Sequence, residues 1–140
     1  MTEQFKILAQ FVKDMSSETP DLETYLYVKE YLKNYNLSID ITTKPLKNRM
    51  IEVNTKISYM DKEETKKKSY FEITYASIVK IDEQIKDRKI IEKIILCDVQ
   101  KEIYPNIEKV FINLLSNSGF PGIRFQKKVD FEQLYNQRLS

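Results

Sequence analysis

The sequence predicts an α+β fold: a four-stranded antiparallel sheet followed by a long kinked helix and a short C-terminal helix. In the first half of the chain, apolar and polar residues alternate over four separate segments, which is the period-two pattern of strands. From residue 82 to about residue 117, apolar residues recur at spacings of three and four, which is typical of one helix face. The chain has 140 residues and no shift in composition along its length, so we expect a single domain over residues 1–140.

The strand pattern is rich in β-branched and aromatic residues. The four predicted strands lie at residues 5–12, 37–42, 51–59 and 71–79. In the first of them, the alternation places Phe5, Ile7, Ala9 and Phe11 on one face. Alternation of this kind is typical of an antiparallel sheet with one buried face and one partly solvated face.

Two links between the predicted strands differ in character. Residues 61–68 are almost entirely polar and charged, so we expect them to form a hairpin loop. Residues 18–36 are rich in tyrosine and leucine and connect the first two strands. Because solvated aromatic side chains favour aggregation, this link is expected to lie against another part of the molecule.

The helical half contains its own stop signals. Pro105 removes a backbone donor inside the apolar stripe, which predicts a kink or a restart near residues 100–105. Gly119 is expected to end the long helix, with Pro121 beyond it. Asp130 is a good N-cap for a short final helix that carries Phe131, Leu134 and Tyr135.

The composition excludes several classes of function. The chain has no histidine, which removes the usual general base and the usual zinc ligand, so we expect no enzyme, no cofactor and no metal site. The single cysteine, Cys97, cannot form an internal disulfide, which is typical of a reducing compartment. The sequence shows no secretory signal and no apolar run near the ~20 residues of a membrane span. These features predict a cytoplasmic protein without direct membrane insertion.

Five short motifs occur in the same order as in a known family. Residues 103–105 (Ile-Tyr-Pro), 119–121 (Gly-Phe-Pro) and 129–135 (Val-Asp-Phe-Glu-Gln-Leu-Tyr) resemble segments before, after and beyond the long helix of the bacterial export chaperone SecB. Residues 13–20 (Lys-Asp-Met-Ser-Ser-Glu-Thr-Pro) resemble the end of its first strand. Residues 72–79 (Glu-Ile-Thr-Tyr-Ala-Ser-Ile-Val) resemble its fourth strand. Each motif is weak by itself, but their collinear order makes the resemblance specific.

The resemblance implies an architecture and a function. SecB has a Greek-key crossover between its first two strands and assembles as a homotetramer, a dimer of dimers. It is an ATP-independent holdase chaperone that binds unfolded preproteins in protein export and delivers them to the SecA ATPase. SecB proteins are usually strongly acidic, whereas this chain has a net charge of +2. Docking to SecA would therefore depend on local acidic positions rather than on the field of the whole protein.

The resemblance also implies two sets of site residues. Motif positions that contact SecA in the family correspond here to Asp14, Glu18, Tyr70 and Glu72. The client-binding groove of the family implies a set of aromatic and aliphatic side chains from the crossover link and the C-terminal segment: Tyr25, Tyr27, Tyr31, Phe125, Phe131, Leu134 and Tyr135. Without the resemblance, the same aromatics are interpreted as core residues and the carboxylates as solvated strand positions.

Two alternative functions remain open at this point. The first is a SecB-like chaperone dedicated to one client, such as an antitoxin. The second is a nucleic-acid-binding module, for which the basic candidates are Lys66, Lys67, Lys68, Arg124, Lys127 and Lys128. The balanced charge of the chain argues against the second, because nucleic-acid binding usually needs a clearly basic surface.

Overall fold

The computed structural model describes residues 4–61, 68–125 and 129–139, and the four predicted strands and the helical second half are all present in it. Most of the predicted hairpin loop, with Lys66 and Lys67, and the basic pair Lys127 and Lys128 lie outside these residues. The elements in chain order are β1 (Phe5–Glu18), α1 (Leu22–Tyr31), β2 (Tyr35–Pro45), β3 (Met50–Asp61), β4 (Tyr70–Ile81), α2 (Arg88–Lys93), α3 (Val99–Asn117) and α4 (Phe131–Leu139).

The sheet is antiparallel throughout, with strand order β1-β4-β3-β2. Its first two strands therefore lie at opposite edges, and the segment between them crosses the sheet as a Greek-key connection. The alternation in β3 and β4 is confirmed, because every second residue is buried beneath the helices, as at Ile57 and Ile73. The core lies between this face and α3, which contributes Ile103, Ile107 and Phe111.

Strand β1 departs from the predicted alternation. Its pairing with β4 shifts register between Ile7 and Ala9 and again between Val12 and Asp14. An extra residue at a bulge turns the following side chains to the other face of the sheet. Phe5 and Ile7 pack against the core, whereas Phe11 pairs with Ala76 on the opposite face and is 46% exposed. The prediction that all four apolar residues share one face is therefore wrong.

The crossover segment contains a helix that the strand pattern did not indicate. Helix α1 begins after Asp21, whose Oδ1 accepts a hydrogen bond from the backbone N–H of Thr24 at 2.8 Å. This is an ordinary N-cap interaction, which satisfies one of the unpaired donors of the first turn. Val28 and Leu32 are buried and anchor the segment to the core. The expectation that the link lies against another part of the molecule is confirmed.

The long helical region is interrupted earlier than predicted. Residues Ile94–Asp98 form a π-helical turn between α2 and α3, and α3 then continues through Pro105. Immediately after the wide turn, the buried Gln100 accepts a hydrogen bond from Thr55 Oγ1 at 3.0 Å and donates one to the Ile95 carbonyl at 3.5 Å. The restart predicted at residues 100–105 is therefore displaced toward the N-terminus, to a single-turn π-bulge.

The end of α3 and the start of α4 follow the sequence signals. Gly119 has a φ of +102° just after α3, which is a backbone conformation that favours glycine. Asp130 caps α4, because its Oδ1 accepts a hydrogen bond from the backbone N–H of Gln133 at 3.0 Å. Residues 119–125 run past α1, and this arrangement creates a large concave surface in the described part of the chain.

Candidate functional site

The main concave surface is a groove of about 1270 Å³ between α1 and the segment that follows α3, which we call the crossover groove. Strands β2 and β3 supply its floor. Two of the seven predicted client residues, Tyr25 and Phe125, lie in it. Its lining residues are Tyr25, Lys29, Glu30, Leu32, Lys33, Tyr35, Asn36, Leu37, Tyr59, Ser116, Gly119, Phe120, Pro121, Gly122, Ile123, Arg124 and Phe125.

Tyr25 joins the two walls of the crossover groove. Its hydroxyl donates a hydrogen bond to the Gly119 carbonyl at 2.9 Å, and its ring centroid lies 5.2 Å from that of Phe120. A Cβ atom at Gly119 would come within 2.7 Å of Tyr25 Cε1, so only glycine allows the ring to lie there. The Gly-Phe-Pro motif therefore has a local structural role: its glycine and phenylalanine form the contact site for Tyr25 of the crossover segment.

The floor of the crossover groove is aromatic and uncharged. Phe125 meets Tyr59 edge-on at 5.5 Å, and Tyr59 lies 5.4 Å from Tyr35. Burial raises the pKa of both phenols, and each hydroxyl donates to a backbone carbonyl, that of Ser69 or of Leu32. The two rings stay neutral at physiological pH and offer apolar surface with satisfied polar ends.

The rim of the crossover groove carries charges that the sequence interpretation did not assign to it. Lys29, Lys33 and Arg124 are exposed at its edge, together with Glu30. An N-cap at Asp21 is the sequence signal that could have located Lys29, because it starts a helix on which Lys29 lies four residues after Tyr25. Lys33 follows in the 3₁₀ turn Leu32–Asn34.

The C-terminal client candidates lie elsewhere. A second groove of about 390 Å³, which we call the terminal groove, lies between β2 and α4 and is lined by Phe131, Leu134 and Tyr135 among others. Phe131 is almost fully buried, edge-on to Tyr104 at 5.4 Å. Burial raises the pKa of Cys97, whose Sγ donates to the Phe131 carbonyl at 3.6 Å, so this thiol supports α4. The predicted client set is therefore divided between two grooves.

The remaining client candidates, Tyr27 and Tyr31, pair with each other. Their ring centroids are 4.6 Å apart on α1. Tyr27 is half-buried against the core and Tyr31 is exposed, and neither is among the residues that line the two grooves.

The predicted SecA-contacting residues come together on the opposite side of the sheet. Asp14 pairs with Thr74, Ser16 with Glu72 and Glu18 with Tyr70, so their side chains point away from the helices. Residues paired across antiparallel strands have Cβ atoms about 4.5–5.5 Å apart. We call this surface the acidic face and define it by Asp14, Glu18, Tyr70 and Glu72.

The acidic face contains both paired and exposed carboxylates. Glu72 Oε1 lies 3.1 Å from Lys56 Nζ, whereas Asp14 and Glu18 are exposed. Nearby, Glu52 accepts hydrogen bonds from Asn54 and Lys13, both at 2.9 Å, and these bonds lower the pKa of its carboxyl. Two bulges precede Asp14 in β1. The second bulge restores the alternation that the first one shifts, so Asp14 and Glu18 lie on the face that an uninterrupted alternation from Phe5 would also give them.

Within the described part of the chain, no helix is both long enough and apolar enough to cross a membrane. In the same residues, no three potential ligand side chains from cysteine, aspartate or glutamate converge on a possible metal position.

Comparisons with known proteins agree with this geometry. The sequence profile of the family described as preprotein translocase subunit SecB matches residues 1–140. A SecB relative from Pelagibacter ubique (strain HTCC1062) is 56% identical and covers all of both chains. The protein-export protein SecB of Parvibaculum lavamentivorans is 27% identical, covering 96% of this chain and 79% of its own.

A solved structure shares the fold. It is a SecB-like chaperone of Mycobacterium tuberculosis in complex with an antitoxin peptide, and it covers 90% of this chain and 91% of its own with a TM-score of 0.66 at 9% identity. At that identity the likeness concerns the fold. The match of the family profile over the full 140 residues concerns the sequence itself, and it shows that this chain belongs to the SecB family of preprotein translocase subunits.

Proposed function

We propose that the protein is an ATP-independent holdase chaperone of the cytoplasm that binds unfolded precursor proteins and delivers them to the SecA ATPase. The observation that carries the proposal is the aromatic crossover groove, whose two walls are joined by the hydrogen bond from the Tyr25 hydroxyl to the Gly119 carbonyl. Family membership supports a role in protein export. The proposal requires no catalytic step and no cofactor.

Client binding follows from the chemistry of the groove floor. An unfolded segment exposes aliphatic and aromatic side chains, and burying each one contributes about 1.5–3 kcal/mol before ordering costs. Tyr25, Leu37 and Phe125 are half-buried lining residues that offer uncharged surface for such contacts, next to the buried rings of Tyr35 and Tyr59. Several contacts of this size give useful affinity without a fixed sequence requirement. The antitoxin peptide bound to the Mycobacterium tuberculosis relative supports peptide binding by this fold.

Delivery is assigned to the acidic face. Because Asp14 and Glu18 lie on the side of the sheet opposite the crossover groove, a partner could dock there while a client remains bound. Exposed carboxylates chiefly set the association rate and the salt dependence of docking.

Assembly as a dimer of dimers is part of the proposal. In the described chain β1 is an edge strand that pairs with β4 on one side, and it exposes Leu8, Phe11, Val12 and Met15 at 39–51%. A long edge strand with exposed apolar side chains needs a cover, and a second copy can supply one. Light scattering should give a mass near four chains, and a monomer would contradict this part of the proposal.

Holdase activity is tested by aggregation of a reduced, slowly folding client. We expect the protein to suppress light scattering of the client at stoichiometric tetramer without any nucleotide. Unchanged aggregation would contradict the holdase function. Co-purification of one small protein from the native host, with no effect on general clients, would instead favour a dedicated chaperone.

Delivery is tested by charge reversal on the acidic face. We expect Asp14→Lys or Glu72→Lys to weaken SecA binding and to leave client binding intact. Glu83→Lys is a matched control, because Glu83 is exposed outside the acidic face. Equal loss of both activities in the Asp14 variant would indicate a folding defect and would contradict the assignment of this face.

A further inference from the structure

We propose that the crossover groove selects client segments whose apolar core is flanked by acidic side chains. This inference rests on the proposed client-binding function and adds to it a charge preference. It is carried by the distribution of charge around the groove, which differs in sign from that of the acidic face.

The rim of the groove is basic on both walls. Lys29 lies on α1, Lys33 lies in the 3₁₀ turn Leu32–Asn34 that follows α1, and Arg124 lies on the segment after α3. Glu30 is the one acidic residue among the described lining residues, so the rim has three cations and one anion. None of the three cations forms a salt bridge of 4.0 Å or less with a described residue.

The floor adds no charge of its own. Tyr35 and Tyr59 are buried at 6% exposure each, and their hydroxyls are engaged with backbone carbonyls. A segment lying in the groove therefore meets uncharged surface from the half-buried Leu37, Ile123 and Phe125, and it meets cations at the rim. The complementary ligand has aliphatic or aromatic residues with aspartate or glutamate on either side.

The net charge of the chain conceals the local excess of cations at the groove. A value of +2 suggests a weak field, yet three cations and one anion line the groove. An acidic client flank would be attracted to this rim.

The test uses three labelled synthetic peptides with one shared apolar core, flanked by aspartate and glutamate, by serine, or by lysine and arginine. We expect fluorescence anisotropy to rank their affinities in that order, with the acidic peptide binding about fivefold more tightly than the basic one at low salt. The difference should shrink as salt rises, because the Debye length falls from ~30 Å at ~0.01 M to ~3 Å at ~1 M.

Two double variants with the same change in net charge locate the effect. Lys29→Glu with Lys33→Glu should abolish or reverse the preference, and a urea denaturation midpoint equal to that of the wild-type protein would show that the fold is intact. Lys86→Glu with Lys89→Glu changes two exposed lysines that do not line the groove, and it should keep the preference.

The outcomes separate the two levels of the proposal. Equal affinity of the wild-type protein for all three peptides would overturn the charge preference and leave the holdase function standing. Binding of none of them would overturn the proposed function and the inference together. Displacement of the acidic peptide by single-stranded RNA of equal charge would overturn the inference in favour of a surface that binds polyanions.

Discussion

The crossover groove and the acidic face are built in different ways from the same sheet. The groove combines α1, strands β2 and β3 and the segment after α3, and Tyr25 and Gly119 are 94 positions apart in the sequence. The acidic face is set by the register of two neighbouring strands, and its side chains project into solvent or pair with Lys56. The shape of the crossover groove depends on how side chains pack in the core. The positions of the acidic-face residues depend only on how the backbones of β1 and β4 are paired.

This difference predicts how the two surfaces respond to mutation. Changes in the groove should reduce folding stability and client binding together, because the same contacts provide both. Changes on the acidic face should reduce partner binding alone. The four predictions below test this contrast, from the largest expected effect to the smallest.

The largest effect is expected for Phe120→Ala. Phe120 is 4% exposed, and its ring lies 5.2 Å from that of Tyr25 and 5.6 Å from that of Phe71. Truncating a buried phenylalanine usually lowers the free energy of unfolding by about 3–5 kcal/mol. Urea denaturation should show this loss, together with weaker client binding. Leu26→Ala, at a residue that is 56% exposed, should change stability far less.

A smaller effect is expected for Gly119→Ala. The substitution places a Cβ atom 2.7 Å from Tyr25 Cε1 and also strains a backbone with a φ of +102°. Gly122→Ala is the matched control, because its φ is +81° and its Cβ meets nothing within 4 Å. Backbone strain of this kind costs about 1–3 kcal/mol. Gly119→Ala should therefore be less stable than Gly122→Ala, and equal losses would mean that the contact with Tyr25 is unimportant.

The third effect isolates one hydrogen bond of the groove wall. Tyr25→Phe keeps the ring and removes the hydroxyl that donates to the Gly119 carbonyl at 2.9 Å. The expected loss in the free energy of unfolding is about 1 kcal/mol. Tyr27→Phe should be closer to neutral, since Tyr27 contributes a ring contact with Tyr31 on the same helix. A larger loss of unfolding free energy for Tyr27→Phe than for Tyr25→Phe would contradict the structural role given to Tyr25.

The same contrast explains which parts of the molecule could be predicted from the sequence. Period-two alternation identified β3 and β4, because uninterrupted pairing preserves the alternation of faces. It failed in β1, where the bulge after Ile7 turns Phe11 away from the core, and no residue pattern in the sequence predicts this bulge. Helix α1 was missed because its apolar residues are spread around the helix, although Asp21 offered an N-cap signal.

The candidate site follows the same division. The motif positions of the acidic face converge because register alone brings Asp14, Glu18 and Glu72 to one surface. The client residues did not converge on one groove, because their positions depend on how α1 and α4 pack at different edges of the core. Lys29 and Lys33 became recognisable as groove residues only once the path of the crossover segment was known.

The smallest effect, and the sharpest test of independence, is expected for the double variant Asp14→Lys with Glu18→Lys. Both side chains are exposed, and neither forms a salt bridge of 4.0 Å or less with a described residue. Exposed substitutions of this kind usually change the free energy of unfolding by less than about 0.5 kcal/mol. The variant should also keep the preference of the crossover groove for acid-flanked peptides, because the reversed charges lie across the sheet from the groove. A clear loss of stability or of that preference would mean that the two surfaces are coupled through the sheet, and the contrast between packing and register would then fail.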